Sequence, residues 1–144
     1  MNCDPYALAE IIRQPAYIKT KVVLLHAGHP WSQSAASLTH ALPNVWMDFS
    51  WTCPWVSLRM AETFKDVLGV ANLDKLMLGS GGHDTPEMAW LCSSLAKGAL
   101  AEVSDSFISR DVLSAAQCLN ISKNLLADNA LRLYARQMDG QKAG

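Results

Sequence analysis

The sequence predicts an α/β protein built on a parallel sheet, and three observations carry that expectation. Short apolar runs of β character alternate with longer segments of helical period. The first run, Lys21 to Leu25, is continuously apolar after its opening lysine, as a strand buried on both faces requires. Each run ends in polar residues before the next helix begins, the order expected of βα units.

Taken in order, residues 1–20 read as a helix from about Pro5 to Arg13 and a connection. The first strand, Lys21 to Leu25, is followed by a loop with Gly28 and Pro30. A helix then runs from about Ser32, a suitable N-cap, to Leu42, and Pro43 closes it. The second strand, Asn44 to Phe49, enters an aromatic loop, Ser50 to Trp55. Its helix, about Ser57 to Leu68, places Leu58, Ala61, Phe64, Val67 and Leu68 at three-and-four spacing, with Gly69 at the C-cap. The third strand, Lys75 to Gly79, leads into Ser80-Gly-Gly-His-Asp-Thr85. A long helix opens at Pro86, where the missing N–H costs nothing, with Thr85 as N-cap and Glu87 in the first turn. Beyond Ser104 the strand signals stop. Helices are expected from about Arg110 to Ala127 and from Asn129 to Arg136, followed by a polar, frayed end from Gln137 to Gly144.

Composition narrows the functions. The 144 residues are 50% hydrophobic and 17% charged, which describes one globular domain or less. Twelve basic residues face thirteen acidic ones with no Lys/Arg run longer than a pair, so neither a nucleic acid nor an anionic membrane is an expected partner. No apolar run approaches the roughly 18 residues of a membrane span, and the first residues carry no secretory pattern. Cys3, Cys53, Cys92 and Cys118 lie far apart in mostly apolar or helical stretches. They read as reduced, packed thiols in a cytoplasmic protein rather than a disulfide framework or zinc site.

In parallel α/β architectures the chemistry sits beyond the carboxyl ends of the strands. There the sequence places His26 and His29, then Asp48 and Ser50, then Ser80, His83, Asp84 and Glu87. Imidazoles and carboxylates on neighbouring strand ends are what a divalent-metal hydrolase needs. Each residue also has a structural reading. His26 can be a ligand, a base or a hydrogen-bonded structural histidine, and His29 a loop histidine. His40 reads as a solvent-facing helical residue. Asp84 or Thr85 can simply cap the following helix, and Glu87 can simply complement its dipole. Gly81-Gly82 can cradle an anion, although no complete phosphate-binding pattern is present. Trp46, Trp51 and Trp55 can line a pocket or pack against the sheet.

Four blocks, Val22 to Pro30 (VVLLHAGHP), Asn44 to Trp51 (NVWMDFSW), Leu78 to Glu87 (LGSGGHDTPE) and Asp128 to Tyr134 (DNALRLY), resemble the amidohydrolase-related family in order and spacing. They look in particular like the hydrolase domain joined to glutamine-synthetase-like domains in some fungi and plants. The resemblance implies a metal-dependent (β/α)8 barrel, with zinc or manganese as cofactor and C–N bonds of a small molecule as the target. Decarboxylases of the same superfamily are an alternative, as is a non-catalytic interaction module derived from the barrel. Residues 1–144 would then be a single incomplete barrel segment, three βα units equivalent to strands six to eight plus C-terminal helices.

On that resemblance His26 is the sixth-strand histidine, a metal ligand or the residue that activates water, and Trp51, His83 and Glu87 are substrate-binding candidates. Two departures weigh against activity of the chain alone. Gly81 stands where the family has the eighth-strand aspartate, and the first five strands, with their metal ligands, are missing. Gly81→Asp with those strands supplied is expected to restore metal binding. Three strands cut from a barrel also leave two apolar edges, at Lys21 to Leu25 and Lys75 to Gly79. Those edges should drive oligomerisation or pairing with the missing strands, or be covered by the chain's own helices.

Overall fold

A computed structural model describes residues 3–140 of the chain, with side chains through Ala135. Strands β1 (Val22–Leu24), β2 (Val45–Asp48) and β3 (Leu76–Met77) form a parallel sheet in the order β1-β2-β3. Val22 pairs with Val45 and Met47 with Leu76. Consecutive strands are therefore neighbours, joined through helices α2 (Ser32–Ala41) and α4 (Met60–Leu68), the arrangement of successive βα units in a (β/α)8 barrel.

The strands are shorter than the apolar runs. β1 stops because His26 and Ala27 turn into left-handed backbone at φ 60° and 52°. β3 stops because the Leu78 N–H turns to the Leu125 carbonyl, 2.9 Å away, instead of a strand.

Alternation sorts the side chains of the sheet. Val45, Met47 and Leu76 face the helices, where Met47 and Leu76 join Phe49, Phe64, Met60 and Val67 in the main core. The rings of Phe49 and Phe64 meet at 5.0 Å. Val23, Trp46 and Met77 face the other side, covered by Ala130 and Leu133 of α7 (Asn129–Gly140). The short α1 (Ala9–Ile12), entered through a 3-10 turn over Pro5–Leu8, packs Ala9 and Ile12 against Leu38 and Val45.

The structure corrects several local expectations. Trp31, not Ser32, holds the N-cap position of α2, and it makes no side-chain cap. The aromatic loop contains a helix, α3 (Thr52–Val56), and the helix expected from Ser57 begins only at Met60. Ser57 breaks the run at φ 43°, ψ −111°, so the period restarts and Leu58, expected in the core, is 91% exposed. Thr85 holds the N-cap position of α5 (Pro86–Ser109) without a side-chain hydrogen bond. The helix expected from Arg110 begins at Ala115 as α6 (Ala115–Lys123), because Ser114 and Gln117 form a reciprocal capping box there. A π-turn over Asn124–Asp128 joins α6 to α7. Gln137–Gly140, expected to fray, continue α7, and residues 141–144 of that expectation lie outside the described residues.

The two edges also differ. Along β3 the π-turn supplies the Leu125 carbonyl, and the Asn129 amide donates to the Leu73 and Leu76 carbonyls at 2.8 Å each. β1 remains the edge strand, with its three residues half-buried. Among the described residues no helix is long and apolar enough to cross a membrane. Cys53, Cys92 and Cys118 are buried free thiols, as expected, whereas Cys3 is exposed.

Candidate functional site at the carboxyl ends of the strands

His26 stands one residue beyond the end of the first strand run, half-buried in the left-handed turn that ends β1. Two successive non-glycine residues at positive φ carry a backbone cost of order 1–3 kcal/mol each, the kind of strain found where a side chain must be aimed. His26 Nδ1 lies 2.7 Å from the Ser50 carbonyl oxygen. A carbonyl only accepts, so Nδ1 carries the proton and the neutral ring keeps its lone pair on Nε2. The edge of the ring meets Trp55, centroid to centroid at 4.8 Å.

Asp48 ends β2 on the face away from the main core, and its Oδ1 accepts the Ser50 N–H at 3.0 Å. Gly79, beyond β3, packs against this turn. A Cβ there would stand 2.9 Å from Ser50 Cβ and 3.2 Å from Asp48 Oδ1.

Trp51 and His83 come together. The indole Nε1–H donates to His83 Nε2 at 2.8 Å, and the rings lie 5.6 Å apart. Indole is only a donor, so His83 is the Nδ1–H tautomer and its Nε2 lone pair is engaged. Glu87 is exposed in the first turn of α5, the position that complements the helix dipole.

The three tryptophans divide. Trp46 is a packing residue against Met77 and Leu133. Trp55 is half-exposed and lines an open cleft of about 620 Å³ with His29, Trp31, Arg59 and Asp66, while Trp51 belongs to the His83 pair. His40 is exposed, as expected.

Gly81 does not behave as a simple gap in a metal site. Its φ is +69°, and a Cβ would fall 2.6 Å from both the Trp51 backbone nitrogen and Trp51 Cδ1. A side chain at Gly81 therefore requires Trp51 to shift. Two of the N–H groups around Gly81-Gly82 are engaged within the loop itself. The Gly82 N–H is 3.4 Å from Ser80 Oγ, the His83 N–H donates to the Gly81 carbonyl, and Gly82 is pressed against Ala89.

Among the described residues, no three His, Cys, Asp or Glu side chains are grouped to hold a metal ion. His26 alone does not make a site, so the residues described here do not fit a metal by themselves.

The sequence places Asp48 among the strand-end carboxylates and Ser50 beside it without assigning either an individual role. The signal was the period-2 pattern, which puts Asp48 on the face opposite Met47 at the carboxyl end of the middle strand.

Three consecutive parallel βα units, with a histidine in a left-handed turn after the first strand, are the arrangement of part of a (β/α)8 barrel. Residues 4–136 match the amidohydrolase family, and the chain belongs to it. It is 27% identical over 135 residues to protein fluG of Emericella nidulans, covering 93% of this chain and 15% of that protein. The fold matches a crystal structure from Lactobacillus casei, classed as a metal-dependent hydrolase, with a TM-score of 0.80 and 23% identity. That match covers 94% of this chain and 35% of the other. The chain thus spans about a third of that structure and a smaller part of fluG.

Proposed function

We propose that this chain carries the His26 portion of an amidohydrolase-type active site that hydrolyses a C–N bond of a small molecule. The site becomes competent when further βα units, on the same polypeptide or a partner, complete the barrel. The observation that carries the reading is the His26 turn, whose left-handed backbone and Ser50 hydrogen bond leave the Nε2 lone pair with no hydrogen bond from the described residues at the carboxyl end of a parallel strand.

His26 Nε2 acts as the base. It takes a proton from water as the water oxygen bonds to the amide carbon, and it returns that proton to the nitrogen as the C–N bond breaks. The cleft beside Trp55 and the outward face of the Trp51–His83 pair hold the substrate. The metal implied by the resemblance needs ligands beyond the residues described, and no step above depends on it.

The need for further units has support in β1, an edge strand with three half-buried residues, of the kind that templates strand addition.

The test is to purify the chain alone and with the first five βα units of a family member co-expressed. Zinc and manganese per chain, and release of amine from simple amides, are measured in each. Metal approaching one per complex, with hydrolysis abolished in His26→Ala, is expected only in the complemented form. A complex that forms without hydrolysing any amide would replace this reading with the interaction module or the decarboxylase.

A further inference from the structure

The geometry points to Asp48 as a positioning residue for His26, acting through Ser50. The inference deepens the reading above and rests on it for its functional meaning, while the contact chain itself can be tested without any substrate or metal. The chain has three links. Asp48 Oδ1 accepts the Ser50 N–H at 3.0 Å, the Ser50 residue joins that N–H to the carbonyl of the next peptide unit, and that carbonyl accepts His26 Nδ1–H at 2.7 Å.

Both ends of the Phe49–Ser50 peptide unit are held, because the Phe49 carbonyl accepts the Thr52 N–H at 3.0 Å while its partner N–H meets the carboxylate. The Phe49 N–H is fixed in turn by the Met77 carbonyl at 2.9 Å. Ser50 is thus anchored to the sheet from one side, and Asp48 is the anchor that comes from the end of the strand itself. A charge-assisted hydrogen bond to a backbone N–H is roughly twice as strong as a neutral one.

A second feature supports the same role. Gly79 lies against this turn so closely that a Cβ would reach Ser50 Cβ at 2.9 Å and Asp48 Oδ1 at 3.2 Å. Glycine at that position leaves room for the Asp48–Ser50 turn. The turn then supports a ring whose backbone is left-handed at two successive residues. Without a fixed carbonyl opposite Nδ1, nothing among the described hydrogen bonds selects the tautomer that leaves Nε2 free.

The experiment reads the tautomer directly. The chain is labelled with 15N-histidine, and ring resonances are recorded at alkaline pH, where an ordinary imidazole is neutral. His26→Gln identifies the His26 signals. Wild type is expected to show His26 as the Nδ1–H form. Asp48→Ala should lose that dominance and give a mixture of both tautomers, whereas Asp48→Asn, which keeps an acceptor oxygen, should retain it. Gly79→Ala, which presses on the turn from β3 and leaves Asp48 in place, should reproduce the loss and serves if Asp48→Ala does not fold. An unchanged Nδ1–H form in Asp48→Ala, or in Gly79→Ala where the first variant is unfolded, overturns the inference. Failure of amide hydrolysis in the complemented barrel leaves the tautomer result untouched, so the two readings fail separately.

Discussion

His26 and His83 show how much a single partner decides. Ser50 offers His26 a carbonyl and Trp51 offers His83 an indole N–H, so both rings carry their proton on Nδ1. The consequences are opposite, because His26 keeps Nε2 open while His83 spends it on Trp51. Trp51 also explains Gly81, whose side-chain space the indole and its backbone occupy. Gly81→Ala should therefore destabilise the chain by about 1–3 kcal/mol through strain at positive φ and the Trp51 clash, measurable as a fall in the urea midpoint. Trp51→Ala in that background should recover only the part due to the Cδ1 contact, because the Trp51 backbone nitrogen remains. The buried thiols give a pH prediction. Burial, and then the neighbouring Cys92, push Cys53 from 9.0 up to about 11. The folded state holds that proton more tightly, so its stabilisation is full below pH 9.0 and is lost as the pH rises through about 11. Lys75, lowered by burial and then by Lys21, contributes with the opposite sign. Comparing wild type with Cys53→Ala isolates the thiol. The variant should show a shallower loss of stability between pH 8 and 11, and equal slopes would remove Cys53 as the cause.

Elements formed where local signals and tertiary contacts agreed. α4 was legible because Ala61, Phe64 and Val67 repeat at helical spacing and all three are buried. Leu58 fitted the same period and is exposed, since periodicity does not reveal that Ser57 leaves the helical region. α6 shows the reverse, because its start at Ala115 follows from a capping box that the apolar pattern did not require. Ser114→Ala should cost about 1 kcal/mol and raise amide exchange in the first turn of α6. α7 depends on one buried side chain. The Asn129 amide donates to two carbonyls flanking the start of β3 and is fully buried. Asn129→Leu should cost roughly 2–3 kcal/mol, because both carbonyls lose a partner. An unchanged thermal midpoint would show that the π-turn alone secures the β3 edge.

At the scale of the whole molecule, helices cover one face of the sheet, and the other carries Trp46 over Ala130 and Leu133. If further βα units pair along β1, as proposed above, co-expressing them should raise the thermal midpoint and slow amide exchange along Val22–Leu24. An unchanged midpoint and exchange rate would mean that β1 is not the edge they cover. The sequence by itself determined the order of βα units, the parallel sheet, the family and the place of His26 at a strand end, because hydrophobic period and residue type are local properties of the chain. Only the tertiary structure decided that Glu87 is exposed at the start of α5, that His83 is tied to Trp51, that Gly81 packs against Trp51, and that Asp48 reaches His26 through Ser50. Those outcomes depend on backbone turns at Ser57, Trp51 and His26 and on contacts between residues more than twenty positions apart. No local pattern encodes such distances, since they are set when the strands take register and the core closes.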